Sequence, residues 1–297
     1  MNSLIDQALL RGNFMIRKLK KLLNFMCLLF SKPNTVINRA LGLEVTNEDE
    51  AIMQRAVEFA DQYLEKGANL ENIYDQSPGS LKTYFCSIDE GPGVWKWLHY
   101  FPVFERHFSR FRGKQLNVLE IGVYSGGSLR MWRDYFGPDC KVFGVDIEEK
   151  CKAYENEYTQ ILIGDQADRN FWRSVLKELP PLDIVIDDGG HHFQQQVVSL
   201  EELLPYIRPG GVYLCEDIHG ESNKFSAYVH MLSNQLNAMK GLDKPAELNG
   251  GHSVNCTEFQ SHMESIHYYP FVTVLEKRVS RLGKLESMKR GTEWAPD

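Results

Sequence analysis

The sequence contains no long apolar run, no paired cysteines and no excess of positive charge. Each absence removes a class of protein. The longest strongly apolar stretch clear of charge, residues 22–30, falls far short of the ~20 residues that span a bilayer. No small-residue cleavage site of the A-x-A type follows it, which disfavours a secretory signal. Its setting is basic: "FMIRKLKKLLNFMCLLF" (14–30) includes Arg17, Lys18, Lys20 and Lys21 and reads as an amphipathic helix. Such a helix packs on the domain or on a partner chain, or makes a peripheral membrane contact. The six cysteines (Cys27, Cys86, Cys140, Cys151, Cys215 and Cys256) form no CxxC pair and no zinc-finger spacing. They read as reduced thiols of a cytoplasmic protein, with membrane association left open, and Cys215 reads as a small buried hydrophobe. A formal net charge of −7 and a pI of about 5.8 argue against nucleic acid as a partner, which needs a basic face. Internal repeats and low-complexity segments are also lacking.

What remains is a chain of 297 residues, 43% hydrophobic, ample for a sizeable core in one large domain or two modest ones. Residues 1–45 form a basic appendage that closes at Ser31-Lys32-Pro33-Asn34. Residues 46–115 read as a helical and loop-rich region, a cap or part of a substrate pocket. A helix opens at Thr46 or Asn47, carries Glu48, Asp49 and Glu50 at its positive end, and stops at Gly67. The following loops hold Tyr84, Trp95, Trp97, His99 and Tyr100 among Gly and Pro. Aromatics there line a pocket or pack on the core. A helix over about residues 100–111 follows.

From residue 117 short apolar runs alternate with helical patterns. The runs are "NVLEIG", "KVFGVDI", "TQILIGD", "LDIVIDD" and "GVYLCED", with "ESIHYY" and "FVTVLEKR" after them. Alternation of this kind predicts an α/β fold, a doubly wound and mostly parallel seven-stranded sheet with helices on both faces and one antiparallel strand. Residues 116–280 make up this domain and 281–297 a tail.

Ligands of open α/β sheets sit beyond the carboxyl ends of the strands. There the first strand presents Glu120, Gly122, Tyr124, Ser125 and Gly126, the second Asp146, the third Asp165 and Gln166. The fourth presents Asp187, Asp188 and His191, the fifth Glu216, Asp217 and His219. The glycine run G-V-Y-S-G-G misses the G-x-G-x-x-G spacing of dinucleotide binders, and Glu120 would repel a pyrophosphate. A cofactor with a positive centre and no phosphates suits the loop better. S-adenosylmethionine is one: acids and carbonyls meet its ammonium, and Asp146 meets its ribose diol. Pairs of acids at strand ends are also common turn and cap chemistry.

The stretch "VLEIGVYSGGSLRMWRDYF" resembles the first motif of class I methyltransferases. "GDQAD", "IDDGGHH" and "RPGGVYLCEDIH" are similar to motifs of the macrocin and mycinamicin type sugar O-methyltransferases. The resemblance runs over about residues 95–277. It implies a methyltransferase of the Rossmann-like fold that uses S-adenosylmethionine and Mg2+ to methylate a hydroxyl of a sugar-containing small molecule or glycan. It also implies a homo-oligomer. Carried over position by position, it assigns Asp188, Glu216 and Asp217 to the metal and His191 to proton removal. Imidazole suits that last task near neutral pH. Asp187 turns towards the cofactor or braces the loop. Two other readings stay open. Acids with a histidine suit non-haem iron, as in the related cephalosporin hydroxylases, and a binding protein could keep the fold without the chemistry.

Overall fold

The structure is a computed structural model that describes residues 47–66, 80–220, 223–239, 246–248 and 251–291. The basic stretch 14–30 lies outside the described residues. Among those residues, no helix is long and apolar enough to cross a membrane.

Strands β1 (Leu116–Ile121) and β4 (Leu182–Asp187) are buried at all but one position each. A strand that is apolar on both faces needs cover on both faces, the condition met by parallel sheets. They pair with each other, β1 also with β2 (Cys140–Asp146), β2 with β3 (Thr159–Ile163), and β4 with β5 (Ile207–Cys215), all parallel. β8 (Met263–Tyr269) and β9 (Val272–Lys277) form a hairpin, and β9 joins β5 antiparallel. The order β3-β2-β1-β4-β5-β9-β8 is the expected seven-stranded, doubly wound sheet with one antiparallel strand.

Alternate strand residues feed two cores. On one face Val118, Ile184, Ile186, Val212 and Leu214 pack with Leu81 of α2 (Ser80–Cys86), Phe104 and Phe108 of α3 (Phe101–Phe108) and Trp132 of α4 (Gly127–Phe136). On the other, Leu119, Val185 and Tyr213 pack with Trp172 of α5 (Arg169–Val175) and Val198 and Leu200 of α6 (Phe193–Leu203). Phe225 and Val229 of α7 (Lys224–Gln235) join them. Each of these large side chains contributes about 1.5–3 kcal/mol through burial. Helix α5 begins at Asp168, whose carboxylate accepts from the Asn170 amide, and α7 at Asn223, which accepts from Ser226.

Two features differ from the sequence reading. The chain divides into two compact units, residues 1–76 and 77–297, so the division falls inside 46–115. In the first unit, α1 (Asn47–Lys66) has the expected bounds. In the second, α2 and α3 share the core of the sheet. The stretch read as a tail supplies β10 (Lys284–Met288). It pairs with β7 (Gly251–Asn255), and β7 with β6 (Ala246–Leu248), in a separate antiparallel sheet. Short α8 (Glu258–His262) lies between β7 and β8.

Candidate active site

A cavity of about 580 Å³ opens at the carboxyl ends of β1, β2, β4 and β5, where strand order reverses between β1 and β4. A larger groove of about 740 Å³, lined by Asn117, Thr159 and Arg208, opens at the amino ends. Ligands of this fold bind at the carboxyl ends, and the reactive side chains gather there too.

One wall is the turn after β1. Gly122 has φ +93°, and a Cβ there would lie 2.0 Å from the Asp188 carbonyl oxygen. Asp146 clamps the turn. Its Oδ2 accepts from the amides of Val123 and Tyr124 at 2.9 and 3.0 Å, and its Oδ1 from Glu148 at 2.9 Å. Tyr124, Ser125, Asp146 and Asp165 line the cavity with Gly122, while Gly126 starts α4 behind it. Asp165 accepts from the Ala167 amide, a local turn bond.

Two acids named with the cofactor face inward: Glu120, against expectation, and Asp187, in the loop-bracing role that was its alternative. Glu120 is wholly buried; its oxygens accept from Ser128 Oγ at 2.6 Å and Trp132 Nε1 at 3.0 Å. Burial raises its pKa against the pull of Lys96. Asp187 is buried and accepts from Tyr213 Oη at 2.8 Å and Gln166 Nε2 at 3.1 Å. Burial lifts its pKa to about 6 despite those bonds. Buried carboxylates need such partners, and with its oxygens so engaged Asp187 braces the loop. Gln166 touches the cavity wall, but its amide serves Asp187, Ser199 and the Gly190 N–H.

The opposite wall carries Asp188, His191 and Asp217. One ligand atom from each lies within 4.8 Å of the others, close enough for a single cation. His191 Nε2 is 3.6 Å from Asp217 Oδ2. Asp217 Oδ1 accepts from Trp97 Nε1 at 3.1 Å and from Tyr100 Oη at 2.5 Å. Burial and that bond raise the Tyr100 pKa, so the phenol stays a donor. Glu216 lines the floor and is not in the converging set. Tyr124, His191 and Asp217 all have positive φ, a strain of about 1–3 kcal/mol each that surrounding structure must hold.

The residue missed in the sequence is Lys96. Its ammonium lies 2.5 Å from Asp188 Oδ2, 3.0 and 3.1 Å from the Glu216 oxygens and 3.6 Å from Glu120 Oε1. Burial alone would lower its pKa; the carboxylates outweigh burial and hold it well above the usual lysine value. The available signal was a single charge between two tryptophans in "VWKW", since a cation in an apolar run needs a buried partner. The aromatic loop does reach the cavity: Trp95, Trp97 and Tyr100 line it, and His219 lies on the same wall.

The donor set suits a divalent cation: two carboxylates suit magnesium, and Glu216 beside them is a third oxygen donor. The nitrogen of His191 also suits a transition metal.

A family model described as a methyltransferase domain matches residues 119–218. The chain is 40% identical over 132 residues to demethylmacrocin O-methyltransferase of Streptomyces fradiae, covering 42% of this chain and 33% of that protein. It is 30% identical over 212 residues to 8-demethyl-8-alpha-L-rhamnosyl tetracenomycin-C 2'-O-methyltransferase of Streptomyces olivaceus, covering 65% of this chain and 54% of that one. The solved MycE methyltransferase of the mycinamycin biosynthetic pathway, in complex with Mg and SAH, superposes with a TM-score of 0.54. Its identity is 28%, over 67% of this chain and 53% of MycE. The matches thus span a third to about half of these proteins. In fold and motifs, the sheet domain of this chain carries a methyltransferase domain similar to those of the macrocin and mycinamicin type sugar O-methyltransferases.

Proposed function

We propose that the protein transfers a methyl group from S-adenosylmethionine to a hydroxyl of a sugar or glycosylated acceptor, with magnesium at Asp188, Glu216 and Asp217. The observation that carries this reading is the single cavity shared by the Asp146-clamped turn and the Asp188, His191 and Asp217 cluster. The relatives support it: one is named for demethylmacrocin, another for a rhamnosyl tetracenomycin, and MycE was solved with Mg and SAH.

When bound, S-adenosylmethionine supplies an activated methyl, and a divalent cation stabilises negative charge on the acceptor oxygen. The chain itself has three tasks. The first is to hold the cofactor. The turn from Gly122 to Ser125, fixed by Asp146, presents backbone to it, and Asp146 Oδ1, which accepts a single amide bond, has a lone pair left for a ribose hydroxyl. The second is to hold the cation, through the carboxylates of Asp188, Glu216 and Asp217. The third is to remove a proton from a hydroxyl that is barely ionised near neutral pH. His191 takes it, and Asp217 at 3.6 Å steadies the imidazolium. Trp95, 87% exposed at the mouth, offers the acceptor an apolar face.

The test is calorimetric titration of S-adenosylmethionine into wild type and Asp146→Ala, each with magnesium and with chelator. We expect binding to wild type and a loss of about tenfold or more in Asp146→Ala, equal to 1.4 kcal/mol or more. Binding in neither condition removes the methyltransferase reading. The nitrogen in the donor set then favours the non-haem iron alternative, and iron in the purified protein is the observation to seek.

A further inference from the structure

Lys96 is the only buried lysine or arginine among the described residues, with 2% of its side chain exposed. It lines the cavity floor beside Glu216, in contact with three acids of different character. Asp188 is shared with the cavity, its side chain 20% exposed. Glu216 is 1% exposed and offers both oxygens. Glu120 is fully enclosed, and its other partners, Ser128 and Trp132, are neutral donors.

We propose that Lys96 is a built-in competitor for the divalent cation: it holds Asp188 and Glu216 when no cation is bound, yields them when one binds, and keeps Glu120. The proposal rests on the reading that these acids ligate the cation. A folded domain cannot bury several carboxylates together without a nearby positive charge. Lys96 supplies that charge from within the chain. Its ammonium is a point charge with three donors on a flexible stem, so it can turn from one acid to another without backbone movement. An ammonium at 2.5 and 3.0 Å from the ligand oxygens opposes any second cation on those oxygens. Glu120, with no other charged partner, is where it falls back. Lys96 thereby acts through the acids, as a positioning residue that sets cation affinity.

The test is titration with Mn2+, free ion read by electron paramagnetic resonance, on chelator-treated wild type, Lys96→Met and Lys96→Arg. Lys96→Met is expected to bind Mn2+ at least about tenfold more tightly than wild type, and Lys96→Arg to stay within about threefold of it. Equal or weaker affinity in folded Lys96→Met overturns the proposal and leaves the metal reading standing. Binding to none of the three proteins overturns the metal reading, and the competitor with it. If Lys96→Met does not fold, wild type labelled with 15N at the lysine ammonium decides. Saturating Mg2+ is expected to shift the buried Lys96 resonance, and a resonance that does not move overturns the proposal.

Discussion

Gly122 and Gly91 share the same backbone angle, φ +93°, yet they differ in what surrounds them. A Cβ at Gly91 meets nothing within 4 Å, so Gly91→Ala bears only conformational strain, about 1 kcal/mol. A Cβ at Gly122 meets the Asp188 carbonyl at 2.0 Å, which is backbone and cannot turn aside. Gly122→Ala is therefore expected to lose about 3 kcal/mol or more in urea unfolding, and to lose measurable cofactor binding because the Asp188 loop must shift. Equal losses in the two variants would contradict this. Residues close in sequence were legible from the motifs: the glycine turn, Asp188 and His191 announce themselves within a few positions. Lys96 does not, because 92 residues separate it from Asp188 and 120 from Glu216. Periodicity and motif spacing carry no information over such a distance. Glu120 was misdirected, and Asp187 left with two roles, for a related reason: a strand end shows that an acid is present, and only its neighbours show which way it faces.

Helix α3 is fastened to β9 by a polar clasp inside an otherwise apolar contact. His107, buried on the helix, holds Glu276 Oε1 at 2.6 Å through Nδ1 and Tyr269 Oη at 2.9 Å through Nε2. Arg110, one turn on, reaches the same Glu276 oxygen at 2.9 Å. Burial alone would raise the Glu276 pKa; the bonds to His107 and Arg110 outweigh it and hold the pKa at about 2. A carboxylate with a depressed folded-state pKa stabilises the protein above its unfolded value, here 4.5. That contribution is lost as pH falls from 4.5 through 2. Glu276→Gln is expected to lose about 1–2 kcal/mol at pH 7, after allowance for solvent near the pair. Its deficit against wild type should shrink as pH falls below 4.5, and a deficit that stays constant with pH would refute the clasp. At this scale the sheet was readable, because buried parallel strands are nearly continuous apolar runs. The small sheet was not. β10 is exposed along its length and pairs with β7 through backbone bonds and one side-chain bond, from the His252 amide to Ser287 Oγ, with no alternation of apolar and polar residues to betray it.

All residues that line the cavity fall between Gly93 and His219, within the unit of residues 77–297. A chain lacking residues 1–76 is accordingly expected to bind S-adenosylmethionine within about threefold of the full chain, a difference below about 0.7 kcal/mol. Calorimetry on the two proteins checks this, and a tenfold loss would assign the first unit a part in cofactor binding. Within the second unit the reversal of strand order between β1 and β4 divides labour across one crevice. On the proposed reading, the methyl donor belongs to the ends of β1, β2 and β3. The acceptor belongs to β4 and β5, the aromatic loop, and the β8–β9 turn, where Phe271 meets Trp97, His99 and His219 edge to face. The two sets share a rim and are joined by Lys96, Gln166 and the acids they hold. A lineage with this layout can change its customer without changing its currency: new sugars need new loops, and the donor half can be inherited intact.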